Sequence, residues 1–277
     1  MVVTVHRLAL TTTITGNALM RLHVFIYLSL ATLLGLFSVN AYADNCLHGC
    51  PTGASGQQVN RAIYSLSNNA DTKFADWVAY HVTASTIDGP SRSRYWRQDP
   101  ALPSSDTLAP ADYQDAHATI GTDRGHQVPL ASFSNTPYWS ETNYLSNITP
   151  QRSELNQGAW VKLENAVRQM VREGQDVYVV TGPLYEYYFA SLPSSSRSHT
   201  IPSAYYKVVM TNVDGWIEAS AFIMDQSLPR NANYCQYQVS VYQVEQRASL
   251  TLMPQLPSWK EGAVKGQLGG LSQPLGC

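Results

Sequence analysis

From Trp160 onward the apolar positions fall at helical spacing: Trp160, Leu163, Val167 and then Met170 and Val171 recur every three to four residues. That period predicts an amphipathic helix with a single apolar stripe. Ser153 is placed to cap its N-terminus, and Gly174 stands where such a helix stops. Elsewhere the pattern shortens. Phe74 to Val82, Val177–Thr181, Tyr205–Met210 and Trp216–Ile223 are rich in β-branched and aromatic residues and predict strands. In the first of these, Phe74, Trp77 and Val78 also fit helical spacing. Asn143 to Ile148 alternates polar with apolar residues over most of its length and predicts a short strand ended by Pro150. Residues 99–115, with three prolines and four aspartates, predict a loop. Ser240, with Gln243 three residues on, opens a later helix in capping-box register. These elements compose an α+β fold with a central, largely antiparallel sheet and few helices.

The N-terminal pattern is different in kind. Arg21 precedes the apolar run Val24 to Val39, and Ala41-Tyr42-Ala43 offers small residues around a cut, so residues 1–43 read as a secretory signal. The run is shorter than the roughly 20 apolar residues of a membrane span. Met20 would open a signal of ordinary length and is a candidate true start. Cleavage leaves residues 44–277 as one domain without repeats or an internal compositional boundary, large enough for a substantial core. The expected destination is extracellular, with the periplasm crossed in transit and no stable membrane association afterwards.

Composition then narrows the chemistry. The exported part holds 16 basic and 20 acidic residues, a net charge of −4, which excludes coating nucleic acid by bulk attraction. Any phosphate contact must come from a local cluster, and Arg92, Arg94 and Arg97, with Tyr95 and Trp96 between them, form the tightest one. All four cysteines lie in the exported part, which in an oxidising compartment predicts two disulfides. Of the three possible pairings, proximity favours Cys46–Cys50 and Cys235–Cys277. A metal site at Cys46, His48 and Cys50 lacks a second Cys/His pair at zinc spacing.

Asp123-Arg124-Gly125-His126, followed by Asn156 and Glu164, carries the densest chemistry in the chain. A neutral imidazole can deprotonate water, its ordinary pKa being about 6.5. Asn156 and Glu164, eight residues apart, fall about 80° apart around an ideal helix and can face one side. Both offer oxygen to a hard cation such as Mg²⁺, which needs few protein ligands. Arg168 follows Glu164 at i+4 and could pair with it or reach a phosphate. The plainer alternative makes Asn156 a cap-region residue, Glu164–Arg168 a solvated ion pair and His126 a structural loop histidine.

Asp123-Arg124-Gly125-His126, Asn143 to Gln151, Leu155-Asn156-Gln157-Gly158-Ala159-Trp160 and Leu163-Glu164, taken in order, resemble the DNA/RNA non-specific endonuclease family. Lys73 to His81, Asp106 to Tyr113 and Thr181-Gly182-Pro183-Leu184-Tyr185 extend the likeness over nearly the whole exported chain. The resemblance implies a ββα-metal core, with His126 as general base and Asn156 as the one direct protein ligand of Mg²⁺, Mn²⁺ being able to substitute. It implies that Glu164 holds metal-bound water and that Arg94 stabilises the transition state. Arg124 and Arg168 match further phosphate-side arginines, and Asn143 and Asn147 match site asparagines. Asp123 is expected to orient its loop rather than bind metal. Both favoured cysteine pairings agree with the family's. The implied activity is hydrolysis of DNA and RNA, single- or double-stranded, to 5′-phosphorylated products by a homodimer.

Overall fold

The computed structural model describes residues 45–277, so the expected signal segment lies outside the described residues. Nine strands run through them: β1 (Gln57–Asn60), β2 (Ser65–Asn68), β3 (Ala75–Val82), β4 (Thr122–His126), β5 (Ile148–Arg152), β6 (Val177–Leu184), β7 (Ala204–Val213), β8 (Trp216–Asp225) and β9 (Gln238–Val239). Seven of them form one sheet in the order β1-β2-β3-β6-β7-β8-β9, every neighbouring pair antiparallel. The other two, β4 and β5, pair antiparallel as a separate ribbon. The α-helices are α1 (Ala116–Ile120), α2 (Ser153–Leu155), α3 (Val161–Arg172), α4 (Val241–Ala248) and α5 (Ser258–Lys265).

The large sheet is apolar on both faces, because each face is covered. Side chains alternate along a strand, and on β7 this sends Tyr205 and Val209 to one side and Tyr206, Val208 and Met210 to the other. The first side packs against Leu163, Val167, Met170 and Val171 of α3, the stripe that the helical period predicts. The second packs against Val241 and Val244 of α4 and Val264 of α5. Ser240 accepts from Gln243 N and Gln243 Oε1 accepts from Ser240 N, the expected capping box at the start of α4. Both disulfides form as favoured, Cys46–Cys50 and Cys235–Cys277, which removes the cysteine metal site. No helix among the described residues is long and apolar enough to cross a membrane.

Three local expectations give way. Asn143–Ile148 is not a strand: single 3₁₀ turns occupy Trp139–Asn143 and Leu145–Asn147, and the strand begins at Ile148. Pro150 lies inside that strand instead of ending it, which a two-stranded ribbon tolerates because it has free edges. The Asp-Arg-Gly-His segment is strand β4, not loop. The helix of Trp160 is interrupted, since a wide turn over Asn156–Trp160 separates α2 from α3. Ser153 is the first residue of α2 rather than its cap, and its hydroxyl is used elsewhere.

Candidate active site

β4, the wide turn that follows α2 and the helix α3 converge on a cavity of about 580 Å³. Arg94, Asp123, Arg124, His126, Asn156, Glu164 and Arg168 all line it, along with Trp96 and Gln157. The ribbon brings the first group: in β4, Asp123, Arg124 and His126 sit opposite Gln151, Pro150 and Ile148. Gly125 faces Thr149 between them, and a Cβ there would meet the Gln151 side chain at 2.6 Å. The wide turn after β5 brings Asn156, and the first turn of α3 brings Glu164.

His126 is half-buried, with the Trp96 ring 5.3 Å away centre to centre. Its Nε2 lies 3.3 Å from Asn143 Oδ1. The Asn143 amide is oriented by Nδ2, which donates to Ser93 O at 3.2 Å, so the atom presented to the imidazole can only accept. Nε2 therefore carries the proton, and Nδ1 is the nitrogen with a free lone pair. Burial pushes the imidazole down to about 4, and the positive charge of Arg94 pushes the same way against the Asn143 hydrogen bond. The ring is neutral at ordinary pH.

Asp123 does not face the cavity as an open ligand. Its carboxylate accepts from Ser153 Oγ (2.8 Å), Asn156 Nδ2 (2.9 Å) and Gln157 Nε2 (2.8 Å), and His117 Nδ1 lies 3.1 Å away. Burial alone would raise this acid, but those hydrogen bonds outweigh it and hold it below the usual carboxylate range. Asn156 is thereby clamped through its nitrogen, and its Oδ1 accepts no hydrogen bond among the described residues.

Glu164 is pushed up by burial, and the charges of Lys207 and Arg168 oppose that. Of the two roles open to Arg168 from its spacing, the ion pair with Glu164 does not form, and Arg168 lines the cavity. Arg168 instead donates to Ser132 Oγ (3.3 Å) and Asn165 Oδ1, and it is buried rather than solvated. The Arg124 guanidinium spreads over the rings of Trp96 and Tyr113 and donates to Pro110 O. Of the basic cluster at 92–97, only Arg94 lines the cavity. Arg92 donates to Ser134 O and lies over Trp139, and Arg97 donates to Ser140 O and lies over Tyr144.

Two expected site residues stand behind the cavity wall. Asn143 reaches it only through His126. Asn147 is fully buried: Oδ1 accepts from Val128 N (2.8 Å), while Nδ2 donates to Val128 O and Thr142 O. It braces the chain just after His126 and has no surface to offer a substrate. Trp96, Gln157, Ser153 and Lys207 were not singled out for the site in the sequence. Trp96 and Gln157 stood within segments already marked in the sequence, and Lys207 carried a signal as one charge inside the apolar run Tyr205–Met210.

Residues 41–258 match the family model of the DNA/RNA non-specific endonucleases. The chain belongs to that family. As a member of the non-specific endonucleases it is a hydrolase acting on DNA and RNA. It is 46% identical over 260 residues to a nuclease of Serratia marcescens, covering 90% of this chain and 97% of that one. Mitochondrial endonuclease G of Homo sapiens is 28% identical over 235 residues, 77% of this chain and 75% of that protein. Among solved structures, the EndoG/EndoGI complex includes a chain with a TM-score of 0.64 at 25% identity, covering 76% of this chain and 90% of that one. The β4–β5–α3 unit of this non-specific endonuclease is accordingly a ββα-metal core.

Proposed function

We propose that the chain is an exported, Mg²⁺-dependent endonuclease that cuts single- and double-stranded DNA and RNA with little sequence preference and leaves 5′-phosphorylated ends. The observation that carries this reading is a neutral His126, its Nε2 committed to Asn143, on the same cavity wall as Asn156, Glu164 and three arginines.

In this reading His126 Nδ1 takes the proton of the water that attacks phosphorus. Arg94, Arg124 and Arg168 counter the charge that builds on the phosphate oxygens as the bond to the 3′-oxygen breaks. Such contacts hold a backbone without reading bases, which fits weak sequence preference. Asn156 would hold the ion through Oδ1 and Glu164 would hold its water. Both atoms are oxygens, and among the described residues no group of three or more His, Cys, Asp or Glu forms a metal cage. That sparse, oxygen-only shell fits Mg²⁺, with Mn²⁺ able to substitute, and does not fit zinc. When bound, the ion supplies Lewis-acid charge at the phosphate and assistance to the leaving oxygen.

The decisive experiment incubates the 44–277 chain with plasmid DNA and with RNA, with Mg²⁺ and with EDTA. Cleavage of both substrates should require the ion, and undiminished cutting in chelator would refute the metal role. Cleavage of the leader after Ala43 and delivery outside the cell, by way of the periplasm, belong to the same proposal. The two disulfides support it, since such bonds persist in oxidising compartments.

A homodimer is the proposed assembly. It has a surface available: Trp216 and Trp259 are 80% and 78% exposed, and Lys260 Nζ donates to Gly215 O, which joins the β7–β8 hairpin tip to α5. Light scattering should give twice the chain mass, and a monomer at micromolar concentration would remove the dimer.

A further inference from the structure

The loop after β8 carries Arg230 to the rim of the cavity. Leu228 and Ala232 anchor this loop on either side by packing into the core that α3 covers. A turn closes between them, with Ala232 N donating to Pro229 O at 2.9 Å. The backbone of Arg230 lies against the wide turn, where a Cβ on Gly158 would meet Arg230 O at 2.6 Å and Arg230 Cα at 2.9 Å. The main chain is thus pinned against a glycine close after Asn156, while the Arg230 side chain is exposed.

One contact ties the guanidinium to the cavity wall. Its Nη1 donates to Gln157 Oε1 at 2.8 Å, and Gln157 lines the cavity. Arginine can only donate, so the Gln157 amide turns its oxygen to Arg230 and its nitrogen to Asp123, where Nε2 donates to Oδ2 at 2.8 Å. The same Oδ2 accepts from Asn156 Nδ2 at 2.9 Å, so three hydrogen bonds lead from Asn156 to Arg230. That short chain keeps the guanidinium within a few hydrogen-bond lengths of the proposed metal ligand, the scale on which phosphates repeat along a strand.

The other donors of Arg230 have no protein acceptor. Among the described residues Gln157 is its one hydrogen-bond partner, and no carboxylate lies within ion-pair distance of it. Arg152, Arg172, Arg197 and Arg247, also partly exposed, each face an Asp or Glu. An acidic chain that leaves this rim arginine without a counter-charge presents a planar fork to an anionic oxygen from outside.

We propose that Arg230 is a substrate residue: its guanidinium binds a backbone phosphate next to the scissile one on the strand held in the cavity. The inference deepens, and rests on, the reading of this cavity as the place where the phosphodiester is cut. A contact to phosphate rather than to a base accords with weak sequence preference.

The test is binding of a short fluorescein-labelled DNA strand to the 44–277 chain carrying His126→Ala, in Mg²⁺, read by anisotropy over a series of NaCl concentrations. The His126 change slows cutting enough for binding to be read. Adding Arg230→Gln should weaken binding about fivefold. It should also make the slope of log affinity against log salt shallower by about 0.7, the share of one phosphate on a single strand. Arg230→Lys should keep the slope. Arg172→Gln removes the same charge outside the cavity and should leave the slope unchanged. An unchanged slope in Arg230→Gln would overturn the proposal, and so would an equal loss of slope in Arg172→Gln. Mn²⁺ binding, read by the electron paramagnetic resonance signal of the free ion, separates a supporting role, and Arg230→Gln should bind the ion as the wild type does. Weakened Mn²⁺ binding beside an unchanged slope would overturn the proposal and make Arg230 a brace for Asn156. A parent protein that does not bind the strand would overturn the reading of the cavity itself, and this proposal with it.

Discussion

At the scale of single residues, the site is a set of side chains whose second polar atoms are already spoken for. Asn143 fixes the His126 tautomer, and Asp123 ties down the nitrogen of Asn156, so each working atom is left over by a hydrogen bond made elsewhere. Replacing His126 by Ala should lower turnover by roughly 10²–10⁴-fold, measured as initial rates on plasmid at saturating Mg²⁺. The pH profile follows from the depressed imidazole. Only the neutral ring can act as base, and with its pKa near 4 it stays neutral well below the ordinary value of about 6.5. Activity should therefore persist as pH falls through 6 and fail closer to 4. An acid limb at or above about 6.5 would show that the imidazole is not desolvated in the working enzyme. The stability sign is separate: the unfolded chain takes this proton first, so acidification between about 6.5 and 4 removes stability. His126 was legible in the sequence by its neighbours. Lys207 was visible only as an oddity, because its partners Tyr80 and Trp160 come from distant parts of the chain.

At the scale of elements, the wide turn at Asn156–Trp160 is the feature that periodicity could not foresee. An unbroken helix from Ser153 would have set Asn156 and Glu164 by the ideal helical angle. Here the turn resets the phase between them, and both still reach the cavity. Gly158 sits in that turn with φ −107° and ψ −115°, and a Cβ on it would lie 2.6 Å from the backbone oxygen of Arg230. Because backbone cannot swing aside as a side chain can, Gly158→Ala should cost about 1–3 kcal/mol in urea unfolding. It should also lower activity by displacing Asn156. Unchanged stability would mean that the turn yields easily. The Asn143–Ile148 segment shows the opposite failure, where alternation suggested a strand. Its polar side chains are consumed in bracing turns, as when Asn147 bonds to Thr142 and Val128, and such local bonds compete with a ladder.

At the scale of the whole molecule, a sheet covered on both faces serves as a rigid back wall for a site built on a small ribbon and one helix. The Cys235–Cys277 bond ties the last residue of the chain to the segment before β9 and closes a loop of sequence separation 42, against 4 for Cys46–Cys50. On loop-closure entropy, replacing both Cys235 and Cys277 by Ser should cost roughly 4 kcal/mol, against about 2 for the Cys46 and Cys50 pair. Thermal unfolding of the two double-serine variants compares them directly. A smaller loss from the Cys235 and Cys277 pair would show that strain or residual structure dominates instead. Neither bond lies among the cavity-lining residues, so both variants should keep their rate constants at temperatures where they remain folded.

The sequence by itself determined the four long strands β3, β6, β7 and β8, the apolar stripe of α3, the capping box at Ser240, the favoured disulfide pairs and the candidate residues, because those follow from local period, residue type and spacing. Tertiary structure decided which candidates share a cavity and which stand behind it. It put Asp-Arg-Gly-His on a strand, broke the helix at Gly158, turned Arg92 and Arg97 onto rings, and buried Lys207 against Tyr80 and the Trp160 ring. Those outcomes depend on contacts between residues far apart in the chain, and no local pattern carries them.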